Sequence, residues 1–341
     1  MKYRRYGTLL LLAAMLTACS SGGIHTETMT PEERAESLRV AEESIAAAES
    51  ESLRLEMESK AAEAEAKRKA EEEAKALKEA QLAEDKAMAE ADFAENRYTT
   101  FQGVDYELTF MDSFNGHFLD TDKWAYCPNW ERDQCIWTDE AAYLKDGALI
   151  LDVTGDSVPY AAGAIRTRDL FEQTYGYWEV RAKLPQAEGI NAAFWLMCDG
   201  AGHAEVAGGA DGVEIDIIEA PHHDWQQVQH ALHMDGYEAK HKTVGHPMDI
   251  PGIYDDQWHT FSLVWTPENY TFYIDGEKTW SMFGMWICHV PCYAKLTVSV
   301  GGWAGELDPT LTPVQGMAVD YIKVYLPVDG YPEPVAETAE E

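Results

Sequence analysis

From residue 31 to 97 the chain has no glycine, and no proline after Pro31; at Tyr98 that composition ends abruptly. Ala, Glu, Lys, Arg and Ser fill the stretch, helix propensity is high, and Glu and Lys recur at i,i+4 spacing. Thr30 can cap such a helix, with Pro31 in its first turn and Glu33 closing a capping box. The large apolar residues Leu38, Ile45, Leu53, Leu55, Leu77, Leu82, Met88 and Phe93 do not sustain a heptad. Residues 31–97 therefore predict a solvated helical stalk, reaching roughly 100 Å at about 1.5 Å per residue. A coiled coil that binds a partner is the alternative.

Beyond Tyr98 aromatics, glycine and β-branched residues take over. Trp178 to Leu184, His259 to Trp265, Tyr270 to Ile274 and Leu296 to Val300 alternate or run apolar over strand-like lengths, and Asp275-Gly276 is a tight-turn signal. No long helical period interrupts them, which predicts an all-β fold, a sandwich of short antiparallel strands. Residues 328–341, with two prolines and four glutamates, predict a disordered acidic tail. At the other end, Lys2, Arg4 and Arg5 precede an apolar run from Leu9 to Leu16 and then Thr17-Ala18-Cys19. This reads as a bacterial lipoprotein signal peptide over residues 1–18, too short to span a membrane as a helix. Cleavage would leave Cys19 lipid-modified and residues 19–30 as a flexible tether. The implied location is the cell envelope, lipid-anchored and facing outward.

The net charge is −34, and residues 98–341 hold 39 acids against 12 bases, a net of −27. Such a field repels polyanions, which argues against nucleic acid and against sulfated galactans. A neutral polysaccharide or oligosaccharide is the expected partner, unless a local basic patch reverses the field.

Glu214-Ile215-Asp216-Ile217-Ile218-Glu219 places three carboxylates in a stretch that otherwise reads as a buried strand. Alternation puts Ile215 and Ile217 on one face and Glu214 and Asp216 on the other, and continued unchanged it would bury Glu219. One bulged residue at Ile217 or Ile218 resets the phase, so that all three acids line one surface. Paired carboxyl groups about 5 to 5.5 Å apart are what retaining glycoside hydrolysis requires. A solvated acidic face on an edge strand is the competing reading of these six residues alone.

With its flanks, the stretch resembles the signature of glycoside hydrolase family 16, in the longer form with two apolar residues before the second glutamate. Phe110-Met111-Asp112-Ser113-Phe114-Asn115 with Leu119-Asp120 and Trp124 is similar to the family's opening strand and turn. Gly176 to Pro185 and Ala193-Phe194-Trp195-Leu196 resemble its central strands, and Val300-Gly301-Gly302-Trp303 with Val319 to Tyr325 its closing ones. The likeness covers residues 101–327 and implies a β-jelly-roll with a concave substrate cleft. It implies Glu214 as nucleophile, Asp216 as the residue that orients it and Glu219 as general acid/base. It places Trp195, Trp303 and His233 in the cleft, with Trp178 and Tyr237 as further sugar-binding residues, because aromatic faces stack on the C–H faces of pyranose rings. It also implies a structural calcium on the convex side, at Asp320 with Gly147 as a backbone donor; catalysis needs no cofactor. The chain departs from glucan-cleaving members at Asn191-Ala192, where Trp-Pro is common, so one stacking platform is replaced. The run from His230 to Lys242 forms a longer loop than a bare glucanase needs.

Cys127 with Cys135, and Cys288 with Cys292, are close in sequence and are disulfide candidates outside the membrane. Cys198 is left over and reads as a buried free thiol. No Cys-x-x-Cys and no His-Glu-x-x-His occurs, so no metal is expected at the cysteines or histidines. Together these features predict an endo-acting, retaining glycoside hydrolase that cleaves β-1,3- or mixed β-1,3/1,4-glucan. The alternatives are an endo-β-galactosidase on galactan or mucin-type glycans, a non-catalytic carbohydrate-binding module on a stalk, and an envelope protein whose stalk is the functional part.

Overall fold

The computed structural model describes residues 30–202, 208–223 and 226–331. The expected leader, Cys19 and the chain after Tyr331 lie outside the described residues. Helix α1 spans Pro31–Glu95, and none of its residues is buried. Its capping box forms as the sequence requires: Glu33 Oε2 accepts from the Thr30 amide at 2.8 Å, and Thr30 Oγ1 accepts from the Glu33 amide at 3.3 Å. Ion pairs along it, such as Arg54–Glu58 at 3.0 Å, are fully solvated, so water screens them and each contributes little. Within α1 no heptad seam is buried, and Leu38, Leu53 and Leu77 are all exposed.

The chain divides into two units, Met1–Leu77 and Lys78–Glu341. The second therefore begins inside the helix, ahead of the domain start at residue 101. In this unit Asp85 accepts from the amides of His117 and Phe118 at 2.9 and 3.2 Å and meets His117 Nδ1 at 2.6 Å, while Ser113 Oγ donates to Asp92. Acids on these last turns of the helix tie them to the turn after the opening strand.

Two sheets make up the rest. The larger, of 12 strands, comprises β1 (Tyr98–Phe101), β2 (Val104–Asp112), β4 (Glu131–Arg132), β5 (Cys135–Trp137), β6 (Ala142–Lys145), β7 (Ala148–Thr154), β8 (Tyr160–Ala162), β10 (Gly176–Lys183), β15 (His259–Trp265), β16 (Asn269–Ile274), β17 (Glu277–Phe283) and β19 (Val314–Pro327). The smaller, of 7 strands, runs in the order β14 (Lys242–Asp249), β13 (Gln227–Met234), β12 (Glu214–Pro221), β11 (Ile190–Met197), β18 (Tyr293–Val300), β9 (Ala164–Arg166), β3 (Ala125–Tyr126). The apolar faces of both close on one core that includes Trp124, Trp137, Trp178, Phe194, Trp265 and Phe272. This is the expected sandwich with a helix before it. Asp275-Gly276 makes the β16–β17 hairpin, both residues at positive φ (50° and 78°), the backbone that turn requires.

Two expectations change. The chain stays with the domain past residue 328: the Val328 amide donates to Asp105 O at 2.9 Å, and Tyr331 Oη donates to Trp265 O at 3.0 Å while its ring meets Tyr175 edge-on. An aromatic residue anchors what composition alone reads as tail. Trp178 belongs to the core and not to a cleft. It is fully buried on β10 in the larger sheet, and its Nε1 donates to Tyr175 O at 3.1 Å.

Candidate active site

The three acids sit on β12, in the middle of the smaller sheet. Along β13, Asp216 faces Ala231 and Glu219 faces Gln229, three residues against two. Along β11, Trp195 faces Asp216 and Phe194 faces Ile218, which isolates Ile217 as the extra residue. The bulge therefore falls at one of the two positions alternation allowed, and it turns Glu219 to the face of Glu214 and Asp216 while Ile215, Ile217 and Ile218 stay in the core.

A bulge leaves a backbone group out of the ladder, and here a histidine takes it. His230 is fully buried, and its Nδ1 lies 2.6 Å from Ile217 O; a carbonyl can only accept, so Nδ1 carries the hydrogen. Nε2 faces Thr279 Oγ1 at 2.7 Å. Burial pushes the His230 pKa down to about 3, so the ring is neutral. His230→Leu should leave Ile217 O unpaired in the core and cost about 1–3 kcal/mol, read as a lower melting temperature together with reduced turnover. A variant that melts with wild type would show that the histidine does not hold the bulge.

Glu214 and Asp216 are buried and Glu219 is half-buried. Tyr237 Oη donates to Glu214 Oε2. Ligand-type atoms of Glu214, Asp216 and His233 all lie within 4.8 Å of one another, and His233 Nε2 is 3.4 Å from Asp216 Oδ2. His241 stacks on His233, with Nε2 and Nδ1 3.0 Å apart. Glu219 accepts from Gln229 Nε2 at 2.7 Å and from Asn191 Nδ2 at 3.4 Å. The 230–242 run thus folds back over the acids, and Asn191 points at Glu219 instead of offering a stacking platform.

Asp216, Glu219 and His233 hold their protons late. Burial first, then Glu219 and Glu214, raises Asp216 well above an ordinary carboxylate. Burial also raises Glu219, helped by Glu214 and opposed by the Gln229 hydrogen bond. Burial disfavours charge on His233, yet Asp216, Glu214 and Glu219 together lift it to about 9. All three shifts have one sign, as expected for carboxylates crowded around one imidazole and titrating as a set. A raised folded-state pKa gives stability that is complete below the unfolded value and lost as pH rises through the folded one. For His233 that window runs from about 6.5 to about 9. Melting temperature should fall across it in wild type and fall less in His233→Phe. Equal slopes would remove His233 from the account.

Row partners across the smaller sheet extend the site sideways. Asp216, Trp195, Lys295 and Arg166 stand opposite one another on β12, β11, β18 and β9 and so share one face. Trp195 was expected as an open stacking surface; it is instead buried, donates from Nε1 to Thr297 Oγ1 at 2.9 Å, and lies under Lys295 Nζ, 3.7 Å from its ring centre. Lys295 is only 5% exposed, and burial lowers its pKa to about 8. Arg132 also approaches the Trp195 ring, at 6.0 Å. Among the described residues no carboxylate pairs with Lys295, Arg166 or Arg132 within ion-pair distance. Trp303 is exposed in the short turn that follows β18, as is Trp130 beside β4, an aromatic the sequence reading passed over.

On the other sheet Asp320 Oδ2 accepts from Arg181 Nη1 at 2.5 Å. The guanidinium already neutralises the carboxylate, so the donor set at Asp320 does not fit a calcium ion. Among the described residues, Asn115 Oδ1 is the side-chain atom that a Cβ placed on Gly147 would meet, at 3.0 Å. All five described cysteines are free and buried. Cys135 Sγ donates to Arg132 O at 3.3 Å, and Cys288 and Cys292 have their sulfurs 3.7 Å apart.

A two-sheet jelly roll with three carboxylates on one bulged strand of its smaller sheet is the architecture of the β-jelly-roll glycoside hydrolases. The family model for glycosyl hydrolases family 16 matches residues 129–323, and the chain belongs to that family. It is 27% identical over 258 residues to the glucan endo-1,3-beta-glucosidase A1 of Niallia circulans, covering 64% of this chain and 37% of that protein. It is 30% identical over 249 residues to the keratan-sulfate endo-1,4-beta-galactosidase of Sphingobacterium multivorum, covering 67% and 57%. The crystal structure of the laminarinase catalytic domain from Thermotoga maritima MSB8 superposes with a TM-score of 0.56 at 26% identity, over 64% of this chain and 98% of that domain. The chain spans 37% and 57% of the length of the two curated relatives named above.

Proposed function

We propose that this chain is an endo-acting, retaining glycoside hydrolase that cleaves β-1,3- or mixed β-1,3/1,4-linked glucan. The observation that carries the reading is the bulge at Ile217, which puts two glutamates and an aspartate on one face of a central strand. Relatives named for endo-1,3- and endo-1,3-1,4-glucan cleavage support the substrate class. In the proposed reaction Glu214 attacks the anomeric carbon as Glu219 gives its proton to the departing oxygen, breaking the glycosidic bond and forming a glycosyl ester on Glu214. Glu219, now a carboxylate, takes a proton from water; the hydroxyl adds to the anomeric carbon, the ester bond breaks, and Glu214 is restored with net retention. The raised pKa of Glu219 suits the acid step, and the Tyr237 hydroxyl, donating to Glu214, keeps that carboxylate oriented. Asp216, with His233 Nε2 3.4 Å from its Oδ2, flanks the pair.

The test is product release by the purified full chain from laminarin, lichenan, xyloglucan, agarose and mucin glycans, with Glu214→Gln as control. Oligosaccharides from laminarin or lichenan, whose first-formed reducing end is β, support the proposal. Products of inverted configuration, or equal release by the control, refute it. A second reading, endo-β-galactosidase action on an anionic galactan, is favoured by the row Trp195–Lys295–Arg166, whose cations meet no carboxylate among the described residues, and by the 30% identical relative. On that reading the row is the local basic patch that reverses the argument from net charge. Preference for a sulfated galactan over its desulfated twin, lost in Lys295→Met, would select it.

The lipid anchor on Cys19 and the outward-facing envelope location belong to the same proposal, supported by the charged head, apolar core and small residues before Cys19. Incorporation of a labelled fatty acid, abolished in Cys19→Ser, is the matching measurement.

A further inference from the structure

Cys198 follows β11, whereas Cys288 and Cys292 lie 90 residues and more downstream in the loop that enters β18. The fold brings all three sulfurs within 4.8 Å of one another. The cysteines are 3%, 0% and 0% exposed. Their contacts with oxygen are long: Cys198 to Val213 O at 3.8 Å, and Cys288 and Cys292 to Val290 O at 3.5 and 3.7 Å. Thiols are weak donors, so these contacts, with those the three sulfurs make to one another and the one Cys198 makes to the Ala201 backbone, offset little of the loss of water. The remaining described cysteines, Cys127 and Cys135, are not in the cluster.

We propose that Cys198, Cys288 and Cys292 bind one thiophilic d10 metal ion, zinc or copper(I), and clamp the entry to the Glu214 strand. Tetrahedral thiolates at about 2.3 Å from zinc stand about 3.8 Å from each other, and Cys288 and Cys292 already stand 3.7 Å apart. Three cysteines with one further donor form a structural zinc class, and soft thiolates also select copper(I). Each thiol releases its proton to solvent as its sulfur bonds the ion. A disulfide uses two of the three sulfurs and strands the third, whereas a metal ion uses them all. The site joins three segments: the end of β11, the loop into β18 and, through Cys198, the residue before the nucleophile position. Cys198 Sγ lies against Val213 O; a Cβ on Gly212 would meet the backbone of Ala201 and Gly200 first, at 2.3 and 2.5 Å, and then that sulfur at 2.8 Å, so the chain passes close beside the site.

The experiment measures metal in the purified full chain, then strips it with chelator under reducing conditions and returns zinc or copper(I) in separate arms. The expected result is about one ion per chain, taken up in one arm, with a melting temperature several degrees above the stripped protein. Cobalt(II) in place of zinc should give a thiolate-to-metal charge-transfer band, and Cys198→Ala should lose both the band and the ion. Should that variant misfold, X-ray absorption at the edge of the ion held by wild type still decides, because sulfur neighbours at about 2.3 Å mark a thiolate site and a shell of nitrogen and oxygen alone refutes it. A disulfide between any two of Cys198, Cys288 and Cys292, located by mass mapping of the unreduced chain, would overturn the site, as would failure to take up either ion.

Discussion

Glu214→Gln is expected to lower turnover of every cleaved polysaccharide by on the order of 10⁴-fold or more, the scale on which a nucleophile's removal is felt, while the fold and much of the sugar binding remain. The amide keeps the shape of the carboxylate and still accepts from Tyr237, but it cannot displace the leaving group or carry the glycosyl ester. It also removes one negative charge beside Asp216 and Glu219, both of which Glu214 pushes upward. The variant's melting temperature should therefore equal or exceed that of wild type at neutral pH. Loss of activity with loss of folding would say only that β12 was disrupted, so melting and turnover are measured on the same preparation. Retained turnover in a well-folded variant would remove Glu214 from the chemistry.

Glu219→Gln is expected to cost about 10²–10⁴-fold on polysaccharide, and its signature is dependence on the leaving group. A sugar hydroxyl leaves only with a proton, which the substituted amide cannot give; an acidic phenol leaves without one. Glycosyl-enzyme formation from an aryl glycoside with a good leaving group should thus be nearly unimpaired, and a burst of phenol should precede slow deglycosylation. The high-pH limb of kcat/KM, set in wild type by the raised pKa of Glu219, should vanish with it. Equal losses on both substrates would make Glu219 a positioning residue. Gln229 and Asn191, which hold the Glu219 oxygens, would then become the residues to examine for the proton route.

The acids were legible because the information that places them is local. Two-residue alternation separates Ile215 from Glu214 and Asp216, and the only way to keep Glu219 out of the core is one inserted residue, which the structure puts at Ile217. The helix was legible for a similar reason: composition, cap and the lack of glycine all act within a few residues of each other. His230 could not be read, because its partner, Ile217 O, exists as an unpaired group only once the bulge has formed. Trp178 and Trp195 show the limit more generally. Alternation assigns a side chain to one of two faces, but it does not say which face of which sheet is open, and one of these tryptophans lies in the core and the other beneath an ammonium group.

The sequence by itself determined the helical run from Pro31, the β-rich remainder, and the three carboxylates with their phase shift, since each follows from periodicity and backbone sterics over a few residues. Only the tertiary structure decided what surrounds them. It set Lys295 and Arg166 in the row beside Asp216, turned Tyr237 onto Glu214, gave Asp320 to Arg181 and drew Cys198 to Cys288 and Cys292. Those contacts join residues on different strands and loops, several of them far apart in the chain. Their partners are chosen by strand order and register, which no short window of sequence contains.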